Sequence, residues 1–145
     1  MGETLMKIST RGRYALRMMI DAAQNQEKGC VALKDIALRQ NISKKYLEQI
    51  ALQLTQAGML RASRGHQGGY VLAASPAEYT VGEILRVTEG SLAPVACLDQ
   101  APNECPRRDY CLTLPVWEGL QAVVDRYLDG ITLQDVLDGK APRPE

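Results

Sequence analysis

The chain of 145 residues is 46% hydrophobic and 23% charged, which is ordinary for one compact domain or for a small domain with an extension. No run approaches the roughly 18 consecutive apolar residues of a membrane span, and residues 1–7 lack the apolar core of a signal peptide, so we expect a cytoplasmic protein. The formal net charge is zero but divides into +6 in residues 1–70 (11 basic, 5 acidic) and −6 in residues 71–145 (6 basic, 12 acidic), as expected when one half binds an anionic polymer.

Three helices are predicted before Gly58. The first covers residues 10–24, where apolar side chains recur at the i, i+4 spacing of a buried face. The second begins near Leu33 and is interrupted at residues 41–43. Ser43 is a suitable N-cap for the third helix, because its hydroxyl can accept a hydrogen bond from an otherwise unpaired backbone amide, and Gly58 ends that helix.

A change of hydrophobic period follows the third helix. Residues 59–63 and 70–73 are predicted strands, and three glycines in residues 64–69 supply the positive φ angles of a tight hairpin. Two short helices separated by a three-residue turn and followed by such a hairpin predict a winged helix-turn-helix. The predicted fold class is therefore mainly α with a small β-hairpin wing.

The remainder of the chain is predicted to hold a loop between helices. A helix covers residues 80–88, and an irregular loop with three cysteines follows at residues 97–111. A long helix begins near Pro115 and ends at Gly130, and a last short helix opens at Thr132. The apolar stripe of the long helix predicts either a partner surface or packing on its own domain.

The basic half contains the predicted DNA-binding residues. In a winged helix-turn-helix, the second helix of the motif enters the major groove with its N-terminal residues on the bases. These residues are Ser43, Lys44, Lys45, Tyr46, Glu48 and Gln49. The lysines suit phosphates or guanine edges, Gln49 suits adenine and Glu48 suits a cytosine amine. Arg64, at the tip of the wing, suits a narrow minor groove. The alternatives are a solvated face for the lysines and core packing for Tyr46.

The cysteine-rich loop predicts metal or redox chemistry. Cys97, Cys105 and Cys111 follow the spacing C-x7-C-x5-C, which lacks the C-x2-C pairs of zinc knuckles. Disulfides are disfavoured in the cytoplasm, and soft thiolate ligands suit an iron–sulfur cluster. The alternative is a set of free thiols, either acting by oxidation or without a role.

Four blocks of sequence occur in order along the chain. They are MKISTRGRYAL at residues 6–16, ISKKYLEQI at 42–50, RGHQGGYVL at 64–72 and VGEILRVTEG at 81–90. Together, with the spacing between them retained, they resemble the IscR/NsrR/CymR family of bacterial winged-helix transcription regulators. From these blocks we also include Arg11, Arg13 and Gly65 among the predicted DNA-binding residues.

The resemblance implies that different segments of the chain have different functions. It implies a homodimer on a near-palindromic double-stranded operator, with residues 115–128 as the dimerisation helix. We accordingly predict a DNA-binding region at residues 1–75, a cysteine-loop sensor and dimerisation region at residues 76–140, and a flexible tail at residues 141–145.

The family's sensors carry three loop cysteines before the dimer helix, which implies an iron–sulfur cluster, [2Fe-2S] or [4Fe-4S], on the same cysteines here. The fourth ligand is unassigned. The position of the IscR histidine holds Leu114, and the position of the NsrR aspartate holds Arg13. Glu104, Asp109 or an exogenous ligand are the remaining candidates.

Three functions are therefore compared. The first is a DNA-binding transcriptional regulator, acting as a repressor, whose operator binding responds to the cluster. The second is a cluster-free regulator of cysteine metabolism of the CymR type, which responds through a regulatory protein partner, and the third is a thiol-based redox sensor. An enzyme is not expected, because the chain has one histidine and neither a C-x-x-C pair nor a phosphate-binding glycine loop.

Overall fold

The structure, a computed structural model, describes residues 7–63 and 68–144. Those ranges are mostly helical and contain one antiparallel hairpin, which confirms the predicted fold class. The elements are α1 (Thr10–Asn25), α2 (Leu33–Gln40), α3 (Lys44–Gln56), β1 (Leu60–Ser63), β2 (Gly69–Leu72), α4 (Val81–Glu89), α5 (Leu114–Asp129) and α6 (Leu133–Leu137). Within them, no helix has the length and apolar character that a membrane span needs.

Hydroxyl side chains begin several of these helices. Ser43 caps α3 as predicted, because its Oγ accepts from the Tyr46 amide at 3.0 Å. Thr132 caps α6 by a reciprocal pair of hydrogen bonds with Asp135. The turn between α2 and α3 is closed by Asn41, whose left-handed backbone (φ 54°) suits a short polar side chain.

The wing is anchored to the segment that precedes α2. Strands β1 and β2 pair from Leu60 opposite Leu72 to Ser63 opposite Gly69, and Val31 exchanges two backbone hydrogen bonds of 2.9 Å with Tyr70. Gly69 is required for this close approach, since a Cβ there would collide with the Val31 backbone. Residues 64–67, including the predicted contacts Arg64 and Gly65, lie outside the described residues.

One hydrophobic core holds α1 to α4, the wing and α6 together. Its fully buried large side chains include Met18, Met19, Ile36, Leu47, Ile50, Leu54, Ile84 and Leu133. Each buried aliphatic side chain of this size contributes about 1.5 to 3 kcal/mol of transfer free energy. The core draws on residues before and after position 75, and the predicted boundary there stays a prediction.

A buried carboxylate ties α1 to α2. Asp21 is 1% exposed, and its two oxygens accept from Arg39, at 2.7 Å for the shortest contact, and from Gln40 at 2.9 Å. Burial alone raises the pKa of Asp21, but the hydrogen bonds from Arg39 and Gln40 outweigh that effect and hold the pKa below its usual value. Asp21 is therefore a charged part of the core whose partners satisfy it.

Helix α5 is attached to the rest of the chain along one side only. Arg86 of α4 donates to Asp125 at 3.0 Å and to Asp129 at 2.6 Å, and Leu128 packs on a small cluster beneath. None of the 16 residues of α5 is buried. Its outer side therefore leaves apolar side chains in solvent, among them Val116 at 59%, Val123 at 52% and Tyr127 at 51% exposure.

Candidate nucleic-acid interface and cysteine segment

Helix α3 turns one side into the core and the other into solvent. Its buried side consists of Leu47, Ile50, Ala51 and Leu54. Its exposed residues include Lys44, Lys45, Glu48 and Gln49, and the capping residue Ser43 is exposed as well. The sequence thus folds so that the predicted base-contacting residues share the solvent face at the start of one helix, which is the geometry that a major groove accepts.

The N-terminus of α1 lies against this face. Arg11 donates from Nη1 to Gln53 Oε1 at 3.0 Å and from Nη2 to Gln49 Oε1 at 3.2 Å. Arg13, two residues along α1, is exposed, and its side chain donates to Thr10 Oγ1 of the same helix at 3.1 Å. The two arginines that the sequence grouped together therefore have different surroundings.

Aromatic contacts hold Tyr46 in place. Its ring is half-buried and meets the Tyr14 ring edge to face, with centroids 5.7 Å apart. Arg11 Cζ lies 5.8 Å from the centroid of Tyr46, and Arg17 Cζ lies 5.1 Å from that of Tyr14. Tyr46 therefore packs between α1 and α3 as its alternative interpretation predicted, and part of the ring remains accessible.

A groove beside α3 adds a basic residue that sequence reasoning missed. It is lined by the first turn of α2, by Lys44 and Glu48 of α3, and by both strands of the wing. Lys34, exposed in the first turn of α2, lines it as well. The sequence did offer a signal for Lys34, because it lies in the first turn of α2, the helix that precedes α3.

The cysteine segment does not bring its three thiols to one point. Cys97 and Cys105 line a small pocket of about 300 Å³ together with Asp99 and Glu104. Cys111 instead lies just before α5, with its Sγ 3.4 Å from Thr113 Oγ1. All three side chains are free thiols of intermediate exposure.

The surroundings of Cys111 favour its thiolate. Hydrogen bonds from the Thr113 side chain, and then from the backbone amides of Thr113 and Leu114, hold the pKa of the Cys111 thiol below its ordinary value. Thr113 and Leu114 stand at the N-terminus of α5, where unpaired amides and the helix dipole also favour an anion.

An iron–sulfur cluster needs its ligands gathered within a few ångströms of one another. Across residues 7–63 and 68–144, no three Cys, His, Asp or Glu side chains converge to hold a metal ion. The candidate fourth ligands differ in position: Glu104 lines the pocket of Cys97 and Cys105, whereas Asp109 is 85% exposed beside Arg108. The ligand types suit a cluster, but their arrangement in this conformation does not form a cluster site.

Comparisons with known proteins agree with this architecture. The sequence profile of the Rrf2 family, described as an iron-dependent transcriptional regulator, matches residues 8–139. The transcriptional regulator CymR of Bacillus subtilis is 40% identical over 131 residues, which cover 90% of this chain and 89% of CymR.

Two solved structures show the same likeness in three dimensions. The structure of CymR, the global cysteine regulator of B. subtilis, aligns with a TM-score of 0.74 at 38% identity and covers 93% of this chain and 98% of that one. The structure of IscR from T. potens aligns with a TM-score of 0.73 at 38% identity and covers 96% and 93%.

Proposed function

The chain belongs to the Rrf2 family of transcriptional regulators, and we propose that it is a homodimeric repressor that binds a near-palindromic operator through α3 and the wing. Regulators of this family bind DNA and are dimeric. Because a regulator that binds bacterial DNA acts where the chromosome lies, we also propose a location in the bacterial cytoplasm. The chain is a regulator and not an enzyme, in keeping with its relatives.

The observation that carries the proposal is the exposed face at the start of α3. Ser43, Lys44, Lys45, Glu48 and Gln49 stand clear of the core there, on a helix whose other side is fully packed. Basic side chains flank this face on α1 and α2, in the half of the chain with a net charge of +6. A rigid polar helix face among cations is what sequence-specific binding to a major groove requires.

The predicted contacts other than Ser43 and Arg11 then have the following proposed roles. Glu48 and Gln49 contact base edges, and Tyr46 supports them from the side. Lys44, Lys45 and Arg13 contact phosphates, and so does Lys34, which lies where α2 approaches the DNA backbone. Arg64 and Gly65 of the wing enter the minor groove.

Dimerisation through α5 is proposed from its exposed stripe. Val116, Leu120, Val123 and Tyr127 recur at the four- and three-residue spacing of a helix seam. Three of them are more than half exposed within one chain. A second copy of α5 would cover this stripe and place the two α3 helices on successive major grooves.

Selection of DNA from a random pool by the full chain tests the proposal. We expect a two-fold symmetric sequence, and an affinity that falls with salt at a logarithmic slope of about −0.9 for each phosphate neutralised. The variant Ser43→Ala changes the proposed interface, and Ser91→Ala, at a serine outside that interface, is its control. Recovery of no sequence, or an affinity independent of salt, would contradict a DNA-binding function.

The cysteine segment is the proposed responsive element, and the first candidate response is an iron–sulfur cluster on Cys97, Cys105 and Cys111. The thiolate ligands and the pocket shared by Cys97 and Cys105 support it. The description of the family as iron-dependent agrees. Because no three ligand side chains converge in residues 7–63 and 68–144, cluster binding requires the segment to change conformation.

The second candidate is a cluster-free response. The lack of three converging ligand side chains in residues 7–63 and 68–144 supports it, and the similar B. subtilis protein is named a global cysteine regulator. In this case the segment responds either to thiol oxidation or to a regulatory protein partner that contacts it.

Anaerobic reconstitution with iron and sulfide separates these candidates. The remaining cysteine, Cys30, lies between α1 and α2, outside the cysteine segment. A cluster predicts bound iron and sulfide in the wild type and in the control Cys30→Ser, and their loss when Cys97, Cys105 and Cys111 are replaced by serine. A wild-type protein that stays colourless and free of iron contradicts the cluster. An oxidant response that disappears in Cys111→Ser then favours the thiol sensor, and a response that persists in the triple variant favours a protein partner.

A further inference from the structure

We propose that Arg11 is a positioning residue that sets which hydrogen-bonding group of Gln49 faces the DNA. The proposal rests on the proposed function and deepens it, because it changes Arg11 from a predicted DNA contact to a residue that acts through α3. It starts from one guanidinium that donates to two side-chain amides, those of Gln49 and Gln53, one turn apart on the recognition helix.

The chemistry of the guanidinium determines the orientation of both amides. A guanidinium carries only donors, so an amide can meet it only with its oxygen. The Oε1 atoms of Gln49 and Gln53 therefore point toward Arg11, at 3.2 and 3.0 Å, and the two NH2 groups point away from it. Without this partner a glutamine amide can rotate by half a turn at little cost, and it would present donor and acceptor equally.

The surroundings of Arg11 keep it in this role. No carboxylate in residues 7–63 or 68–144 forms an ion pair with Arg11. Its cation lies near the Tyr46 ring, which the Tyr14 ring in turn supports. Arg13 lacks all of these contacts with α3 and remains free to contact a phosphate.

An oriented Gln49 would discriminate between bases. Its outward NH2 group is a donor, and the acceptor shared by adenine and guanine in the major groove is N7. Gln49 held in this way therefore presents a donor, which suits an acceptor such as a purine N7 and disfavours a cytosine amine, whereas a Gln49 free to rotate could accept from that amine.

The test uses the full chain and its selected operator, with each purine in turn replaced by its 7-deaza analogue, which removes N7 and keeps base pairing. We expect the wild type to lose about tenfold in affinity at one purine of each half-site, a loss absent in Gln49→Ala. In Arg11→Met the same substitution should cost about twofold or less, because the amide is no longer oriented. The slope of affinity against salt should stay unchanged, since no phosphate contact is lost.

Two control variants separate this role from charge and from folding. Arg11→Lys keeps the charge but loses the planar fork, so its sensitivity to 7-deaza substitution should resemble that of Arg11→Met. Arg13→Met should weaken binding to all sequences alike and reduce the salt slope by about one phosphate, with N7 sensitivity intact. Melting temperatures identify any variant that fails to fold, and Arg11→Lys then carries the test.

Full N7 sensitivity in Arg11→Met, or a reduced salt slope with an unchanged base profile, would overturn the proposal and make Arg11 a phosphate ligand. A wild type in which no purine depends on Gln49 would also overturn the proposal. A wild type that selects no DNA would overturn the proposed function as well, so the two failures are distinguishable.

Discussion

Helices α1 and α5 are both 16 residues long and both carry apolar side chains at helical spacing, yet α1 buries six residues and α5 buries none. Around α1 the chain supplies every partner: α2, α3, α4 and α6 pack against it. Around α5, the described residues supply mainly α4 and a small cluster on one side. The same sequence period thus produces a core in one half and an open surface in the other, because period specifies a face and not what covers it.

The two halves also differ in charge and in what they would bind. The half with α1 has a net charge of +6 and presents the polar face of α3 to solvent beside a complete core. The half with α5 has a net charge of −6 and leaves the apolar stripe of α5 exposed. This contrast supports the proposal that the first half binds DNA and that a second copy of the chain covers the exposed stripe of α5.

Breaking the α5 surface should have the largest effect. Val123→Asp places a charge in the proposed seam, so the dimer should dissociate and the affinity for the operator should fall roughly a hundredfold or more through loss of bivalency. Sedimentation and a gel-shift titration measure the two effects. Ala122→Asp, exposed about 100° further round the same helix, is the matched control and should leave both unchanged. A dimeric Val123→Asp variant would contradict the comparison.

Removing the buried charge of Asp21, a residue of α1, should lower the free energy of unfolding by about 2 to 3 kcal/mol. Asp21→Asn tests this by denaturant titration, and Asp109→Asn, on an 85% exposed side chain of the cysteine segment, is the surface control, with an effect of about 0.5 kcal/mol or less. Because the pKa of Asp21 is lowered by folding, its stabilisation is present at neutral pH and is lost as the pH falls below about 4. If the free energies of unfolding of the wild type and Asp21→Asn differ by the same amount at pH 7 and at pH 3, Asp21 is not the stabilising charge described here.

Crowding the contact between α1 and α4 should have a smaller effect. A Cβ at Gly12 would collide with Glu89 Oε1, and that carboxylate also accepts from the Ser9 amide at 2.8 Å. We expect Gly12→Ala to cost about 1 to 3 kcal/mol. In a Glu89→Ala background the collision is gone, so the cost should shrink, and a fully additive double variant would show that the two residues do not interact.

The smallest expected effect is on the rates at which the three cysteines of the segment are alkylated. In the metal-free protein, Cys111 should be alkylated faster than Cys97 or Cys105 at neutral pH, because hydrogen bonds from Thr113 and Leu114 lower its pKa. Peptide mapping by mass spectrometry after a short exposure to iodoacetamide measures the three rates. Thr113→Val should slow the reaction at Cys111 alone, and equal rates at all three cysteines would refute the assigned environment.

Local signals in the sequence were sufficient for most of the fold. Ser43 capped α3 as expected because a cap depends on residues three positions apart, and β1 paired with β2 as expected because strands close in sequence pair locally. Thr80 and Glu83 have the spacing of a capping box, and the Thr80 hydroxyl does accept from the Glu83 amide at 3.1 Å.

The candidate site was harder to predict because it depends on distant residues. The contacts of Arg11 with Gln49 and Gln53 join positions 38 and 42 residues apart, and no local pattern specifies them. Lys34 was missed because its role depends on how α2 faces the wing. Spacing along a loop likewise could not reveal that the three cysteines of the segment do not converge with other ligand side chains in the described residues, since a loop has no period that relates sequence to position.

Hydroxyl-radical footprinting of the full chain on its selected operator tests the central claim most directly. Two chains joined through α5 should protect two symmetric half-sites with centres one helical turn of about 10 base pairs, or a multiple of it, apart. Both footprints should disappear together in Val123→Asp and persist in Ala122→Asp. A single protected site, or a double footprint that survives in Val123→Asp, would contradict DNA binding by a homodimer that is joined through α5.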